Sequence, residues 1–439
     1  MISEAKLQWK KEKSRDIFNF PKMTNKGTNN SIVRFITCGS VDDGKSTLIG
    51  RLLYDTKSIF DDQYSELKSV SDRKGNSELD LSLLTDGLKE ERERGITIDV
   101  AYRYFSTPKR KFIIADTPGH KEFTRNMITG ASTASIAILM IDSRHGITEQ
   151  TMRHSYINSV LRIPHVIVCV NKMDLCEYQE ERFLEIKNDF QKRVQSLVKF
   201  EKVDFIPISA LKGDNVTTNS IKMPWYKGET LLSVLEKTDQ SFNFDSDDFK
   251  FAVQSVFHLS SNEKIIFGRV LGGELSGGEK ITVCSTGERL TVDKIQLKGD
   301  DCLRATSGQS LSLFVNGKSG IRRGDILLKK EVCNMMSDEI ESVVCWLSDK
   351  PAQKGSTFII QTLNQSTLCE IKEIMNKTEI NSLSVLTNVD QLKANDIGKI
   401  KIKIIEPTYI DRYIINKNLG SFILIDTSAN ETVCGGIVL

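Results

Sequence analysis

The residues Gly39-Ser40-Val41-Asp42-Asp43-Gly44-Lys45-Ser46 have the spacing G-x-x-x-x-G-K-S of a loop built to cradle phosphates. Its glycines let the backbone curl until successive N–H groups point at phosphate oxygens. The helix that follows adds the positive end of its dipole, and Lys45 adds a point charge. The Ser46 hydroxyl then stands where a Mg²⁺ ion would be held. Asp42 and Asp43 are unexpected beside a polyanion, and must turn away from it or engage another group.

Four further segments supply the rest of such a chemistry. Asp116-Thr117-Pro118-Gly119-His120 closes an apolar run, where Asp116 can reach Mg²⁺ through water, Gly119 leaves a bare N–H able to approach a γ-phosphate, and His120 stands beside the attacking water. Alone, Asp-Thr-Pro-Gly is equally a capped turn. Upstream, Gly95-Ile96-Thr97-Ile98-Asp99 follows the charged run 88–94, and the Thr97 hydroxyl can complete the Mg²⁺ shell, although such a threonine is also an ordinary strand-entry residue. In Asn171-Lys172-Met173-Asp174 the Asp174 carboxylate can accept from both N1–H and N2–H₂ of guanine, a donor pair that adenine lacks. Lys172 can lie along the base plane and Asn171 can tie the loop to its neighbours. Ser209-Ala210-Leu211 offers a backbone contact to guanine O6. Each of these is common by itself. In chain order and after successive strands, the phosphate loop, Asp116–His120, Asn171–Asp174 and Ser209–Leu211 together specify GTP rather than ATP.

The elements that must position them alternate. Short apolar runs at Ile32–Cys38, Lys111–Asp116, Ser135–Ile141, His165–Asn171 and Val203–Ile208 read as buried strands, with helical stretches between them, beginning with Ser46–Tyr54. This predicts an α/β P-loop GTPase domain with a mostly parallel sheet over residues 31–240, after a polar N-terminal tail at 1–30. An acidic linker, Asp239–Asp248, interrupts the rhythm. Beyond it, short β-rich stretches such as Phe251–Val256, Ile265–Val270 and Lys280–Val283 alternate with glycine turns. Two small antiparallel β-barrel domains are expected, at 248–332 and 338–439.

Composition removes other classes. Lys and Arg total 60 against 58 acidic residues in 439, a net charge of +2, so no nucleic-acid-coating surface is expected. Nine cysteines without a C-x-x-C pair fit reduced thiols of a cytoplasmic protein rather than disulfides or a zinc site. The first 30 residues hold no signal-peptide apolar run, and no stretch approaches the roughly 20 residues of a membrane span, so no membrane partner is expected.

The motif order resembles the translation-factor GTPases, of which elongation factor Tu is one, over about residues 31–439. That resemblance implies that His120 positions the hydrolytic water and that Val41 and Ile96 flank it as an apolar gate. Within that superfamily, GSVDDGKSTLIGRLLYDTKSIFDDQ (39–63), DGLKEERERGITIDVAYRYFSTPKRKFIIADTPGH (86–120) and TRNMITGAST (124–133) closely resemble the large, GTPase subunit of bacterial sulfate adenylyltransferase (ATP sulfurylase). Translation factors tend to carry His or Ala at the place of Asp43. Lys121, Phe123 and Cys434 depart from the pattern without touching the nucleotide motifs.

The resemblance implies GTP and Mg²⁺ as ligands and a heterodimer with a smaller catalytic subunit, which makes adenosine 5′-phosphosulfate and pyrophosphate from ATP and sulfate while this chain hydrolyses GTP. No second phosphate loop precedes Leu439, so the adenylylsulfate kinase fused to some relatives is not expected. A factor delivering aminoacyl-tRNA is the alternative, and near-neutral charge weighs against it. Asp174→Asn replaces a double acceptor by one acceptor and one donor. Competition binding of GTP against other purine triphosphates is expected to show guanine preference falling by about 1.5–3 kcal/mol, or roughly 10- to 100-fold.

Overall fold

The computed structural model of the chain describes residues 32–59, 81–84, 99–119, 124–238, 248–260, 262–317, 320–329, 336–363, 365–379 and 384–439. Ile96, Thr97, His120, the tail 1–30 and most of the acidic linker lie outside the described residues.

Six strands form the first sheet: β1 (Ile32–Cys38), β2 (Ala101–Ser106), β3 (Lys111–Asp116), β4 (Ile136–Asp142), β5 (His165–Asn171) and β6 (Lys202–Pro207). Their order is β2-β3-β1-β4-β5-β6. Neighbours pair in parallel except β2, which runs antiparallel to β3 at the edge. All seven residues of β4 and of β5 are buried, as strands covered on both faces must be. The expected strand 135–141 is displaced by one residue because Asp142 still pairs with Asn171. β2 is absent from the sequence expectation; its alternation of half-buried and exposed residues ends in Phe105, which stacks on Phe112 at 4.6 Å.

Two layers of helix cover the sheet. α1 (Lys45–Asp55) buries Leu48, Ile49, Leu52 and Leu53 on one stripe and shares its side of the sheet with Leu231 and Leu235 of a helix at Leu231–Lys237. The other side takes α2 (Thr124–Ala131), α3 (Glu149–Val160) and α4 (Glu180–Phe190). Thr148 caps α3 reciprocally: Thr151 N–H donates to Thr148 Oγ1 at 3.2 Å and Thr148 N–H to Thr151 Oγ1 at 3.1 Å.

Twelve of the remaining described strands close two antiparallel six-stranded barrels. In the first, Lys280–Val283, Ile326–Leu328, Lys250–His258, Glu263–Gly272, Ser310–Asn316 and Arg289–Leu297 follow one another, and the last pairs back to the first. In the second, Thr357–Gln361, Ser421–Ile425, Thr432–Val438, Met336–Trp346, Ile397–Tyr409 and Ser366–Glu379 close in the same way. Cys434 is fully buried in that second core with Trp346 and Phe358, where burial raises its thiol well above the usual range. The eight described cysteines are free thiols. Among the described residues no helix is long and apolar enough to cross a membrane.

The parts are bonded to one another. A buried ion pair, Lys250 Nζ to Asp411 Oδ2 at 2.5 Å, joins the barrels. Tyr413 Oη donates to the Leu161 carbonyl at 3.1 Å, and Tyr156 Oη lies 2.8 Å from Thr378 Oγ1, joining the second barrel to the region around α3. Tyr413→Phe leaves the Leu161 carbonyl buried without its donor. It is expected to cost about 1–3 kcal/mol in urea denaturation, whereas Tyr104→Ala, at 66% exposure on β2, is expected to stay within about 0.5 kcal/mol.

Candidate nucleotide site

Parallel strands deliver the chemistry at their C-terminal ends, the edge at which open α/β sheets bind ligands. β1 ends into Gly39–Ser46, β3 ends on Asp116, β4 on Asp142 and β5 on Asn171, while Ser209-Ala210-Leu211 follows β6.

The phosphate loop is held from within and from behind. Lys45 Nζ donates to the Gly39 carbonyl at 3.2 Å and to the Ser40 carbonyl at 2.8 Å. Burial pushes its ammonium below the ordinary lysine range, against the opposing pull of Asp116 and Asp43. Asp43 answers the puzzle of an acid in this loop. Its carboxylate folds back, accepts the Ser40 N–H at 2.5 Å beside the backbone of Asp142, and the residue is 3% exposed. Burial raises it above the usual carboxylate range. Asp42 is exposed at the tip, with φ 67°, and Val41 beside it is half-buried.

Asn171 connects the loops. Its Nδ2 donates to the Asp43 carbonyl at 2.8 Å and its Oδ1 accepts the Ala210 N–H at 2.9 Å. Gly44 has φ 94°, and a Cβ there would stand 2.3 Å from Asn171 Nδ2, so only glycine admits this bridge. Gly119 is likewise pressed on the loop: its Cβ would lie 2.6 Å from Lys45 Nζ and 2.7 Å from the Gly39 carbonyl. Thr117 is fully buried and donates to the Thr37 carbonyl at 2.6 Å, and Thr37 Oγ1 donates to Asp116 Oδ1 at 3.2 Å. Pro118 is buried beside them.

At the base-reading end Lys172 has φ 61°, and its Nζ lies 3.0 Å from Asp142 Oδ2. Its ammonium is therefore anchored, leaving the aliphatic stem free to lie along a base. Burial alone would raise the Asp142 carboxyl, but the bidentate contact of Arg144 (3.1 and 2.7 Å) and the Lys172 charge outweigh it and hold the group far below the usual range. Asp174 lies half-buried in a 3₁₀ turn, Met173–Cys176, and makes no hydrogen bond among the described residues. Met173 points into the core, with its N–H on the Ile208 carbonyl at 3.2 Å. In the last segment Ala210 spends its N–H on Asn171, and Ser209 Oγ accepts the Lys212 N–H at 3.2 Å. The N–H left over for a guanine O6 there is that of Leu211. Arg51 of α1 fastens this segment, donating from Nε to the Ala210 carbonyl at 3.2 Å and from Nη2 to that of Leu211 at 2.5 Å.

The donors present suit Mg²⁺, a hard cation that keeps waters and takes few protein oxygens. Ser46 is half-buried on the first turn of α1 and its hydroxyl makes no hydrogen bond among the described residues, and Asp116 offers a carboxylate 1% exposed. Thr97 and His120 lie outside the described residues. Thr37, Asp142, Arg51 and His154, which accepts the Gly39 N–H at 3.0 Å, carry the site without belonging to any motif. Asp142 alone had a legible mark, an acid ending an apolar strand as Asp116 does.

A phosphate loop, an Asp-Thr-Pro-Gly strand end and an Asn-Lys-x-Asp turn on one sheet edge define a GTPase of the elongation factor Tu class. The family described as "Elongation factor Tu GTP binding domain" matches residues 30–255, and "GTP-eEF1A C-terminal domain-like" matches 339–439. The chain is 44% identical over 412 residues to sulfate adenylyltransferase subunit 1 of Aliarcobacter butzleri, with 93% of this chain and 88% of that protein covered. It is 43% identical to that of Colwellia psychrerythraea at the same coverage. It belongs to the sulfate adenylyltransferase subunit 1 family. The crystal structure of the S. cerevisiae Ski7 GTPase-like domain bound to GTP is 19% identical over 93% of this chain and 97% of its own, with a TM-score of 0.48.

Asn171→Ala strips partners from the Asp43 carbonyl and the Ala210 N–H at once, each loss costing about 1–3 kcal/mol. GTP affinity measured by calorimetry is expected to fall roughly 10- to 100-fold, with a cost in stability that Asn171→Asp only partly repairs.

Proposed function

We propose that this chain is the GTP-hydrolysing subunit of a cytoplasmic sulfate adenylyltransferase. Residues 31–240 bind and hydrolyse GTP, the barrels at 248–332 and 338–439 follow, and a separate smaller subunit forms adenosine 5′-phosphosulfate and pyrophosphate from ATP and sulfate. The observation that carries the reading is the match to subunit 1 relatives at 43–44% identity across 93% of the chain. The phosphosulfate anhydride is a high-energy product, so its formation needs a favourable partner reaction, and GTP hydrolysis to GDP and phosphate is one.

Each residue then has a task. Backbone N–H groups of 39–46 and the Lys45 ammonium bind the phosphates. Asp174 and Leu211 N–H read the guanine edge, Lys172 covers its face, and Asn171 with Ser209 and Ala210 keeps the reading loops in place. Thr117 and Pro118 fix the strand end from which Gly119 meets the γ-phosphate. His120 orients the attacking water. Ser46, Thr97 and, through water, Asp116 would hold Mg²⁺, which supplies positive charge to the phosphate oxygens. Turning a two-state switch from mostly off to mostly on takes about 5.5 kcal/mol of differential binding, and the hydrogen bonds and charge pairing that a γ-phosphate provides are of that order.

The test is GTP hydrolysis and pyrophosphate release by the chain co-purified with its smaller subunit, with and without ATP and sulfate. Sulfate-dependent pyrophosphate release that rises with GTP is expected. His120→Ala is expected to lower the GTPase rate about 100-fold or more while GTP affinity stays within about threefold. Hydrolysis indifferent to ATP and sulfate but stimulated by ribosomes would sink the proposal.

A further inference from the structure

The face of α3 directed at the sheet carries two polar residues that no nucleotide motif contains. His154 and Asn158 stand one turn apart, and both reach the junction at which β1 becomes the phosphate loop. The Gly39 N–H donates to His154 Nδ1 at 3.0 Å, and Asn158 Nδ2 donates to Cys38 Sγ at 3.4 Å. His154 is 3% exposed and Asn158 wholly buried. We propose that His154 is a positioning residue for GTP binding, fixing through the Gly39 N–H the place where the phosphate loop leaves the sheet. The proposal rests on the reading of residues 39–46 as a GTP site and deepens it.

The Gly39 residue is gripped from both sides. Its N–H is taken by His154 and its carbonyl accepts from Lys45 Nζ at 3.2 Å. Freeing the N–H loosens the same residue on which the phosphate-binding lysine rests. An imidazole at this point must accept, so its proton belongs on Nε2 and the ring must stay neutral. Burial, helped by the Lys45 and Arg153 charges, pushes it down to about 3, and Nδ1 keeps its lone pair throughout the neutral range.

The grip is also independent of the loop's own bonds. α3 is fixed by its reciprocal Thr148 cap and by Tyr156 Oη at 2.8 Å from Thr378 Oγ1 in the second barrel. The Leu161 carbonyl just past the helix is held by Tyr413 Oη at 3.1 Å. His154 thus refers the start of the phosphate loop to a helix that is placed by the barrel.

The test follows release of fluorescent GDP and GTP analogues from the full-length chain carrying His154→Ala, His154→Asn or His154→Gln, with urea midpoints measured in parallel. Asn sets an acceptor oxygen near the place of Nδ1, while Gln carries its acceptor one bond further out. Expected are release about tenfold faster for Ala, return to within about threefold of wild type for Asn, and no such return for Gln. A folded His154→Ala chain releasing both nucleotides at the wild-type rate overturns the proposal. Should the Ala chain fail to fold, equal release from the Asn and Gln chains overturns it. Failure of the unsubstituted chain to bind either analogue overturns the GTP reading itself, a separate result from any contrast among the variants.

Discussion

The Asn171 side-chain amide is the constraint on which the nucleotide site depends. The phosphate loop follows β1 and the Ser209 segment follows β6, at opposite flanks of β4 and β5. Nothing in either sequence brings them to a common distance. Asn171, at the end of β5, offers one donor and one acceptor on a planar group, and spends both at 2.8 and 2.9 Å on backbone groups of the two segments. A buried amide satisfied on both sides defines a spacing sharply, because any other spacing leaves a polar atom unpaired. The glycine at 44 exists in the same sense for Asn171 as for phosphate: a side chain there would occupy the volume of the bridging nitrogen.

Around that bridge the charges are arranged so that one cation is held ready for a polyanion. Lys45 is buried, and burial pushes its ammonium below the ordinary lysine range against the opposing charges of Asp116 and Asp43. Its hydrogens meanwhile rest on two loop carbonyls, weak acceptors beside a phosphate oxygen. Asp43, the acid that looked misplaced, faces backwards and accepts the Ser40 N–H beside the backbone of Asp142. Asp142 in turn binds Arg144 and Lys172. One series of contacts therefore runs from the phosphate loop through β4 to the residue meant to cover the base.

The legible part of this was whatever depends on spacing along the chain. Loop motifs after apolar runs give strand ends, and strand ends of a parallel sheet give a common edge, so the four nucleotide segments and their order could be read directly. The two β regions were legible as β because glycine turns punctuate them; the closing pairs, Lys280–Val283 with Arg289–Leu297 and Thr357–Gln361 with Ser366–Glu379, also join near neighbours in sequence. Illegible was what depends on contacts across the chain. β2 has one fully buried residue and alternates weakly, because an edge strand needs only one good partner, here Phe112. The Ala210 N–H already given to Asn171 is set by a residue 39 positions away, and His154 meets Gly39 across 115 residues. Polar residues on α3 look like a solvated face until the sheet is placed against them.

The same helices make the nucleotide segments inseparable from the second barrel. α2 begins a few residues after Gly119, and its Met127 and Ala131 belong to one apolar cluster with Cys345, Ile397, Tyr413 and Ile437 of that barrel. This junction is not closed along its whole length. An open cleft of about 640 Å³ lies between Ile128 and Thr129 of α2, Val160 and Leu161 at the end of α3, and Ile423 and Ile437 of the barrel. A close-packed contact resists displacement of either side, whereas a void removes the partner atoms that would resist it. α3, by contrast, is bonded to the barrel by Tyr156 and lies against the phosphate loop through His154. Both helices thus border the cleft, and α3 is held across it by hydrogen bonds to the barrel and to the phosphate loop, which keeps that loop in register with the barrel.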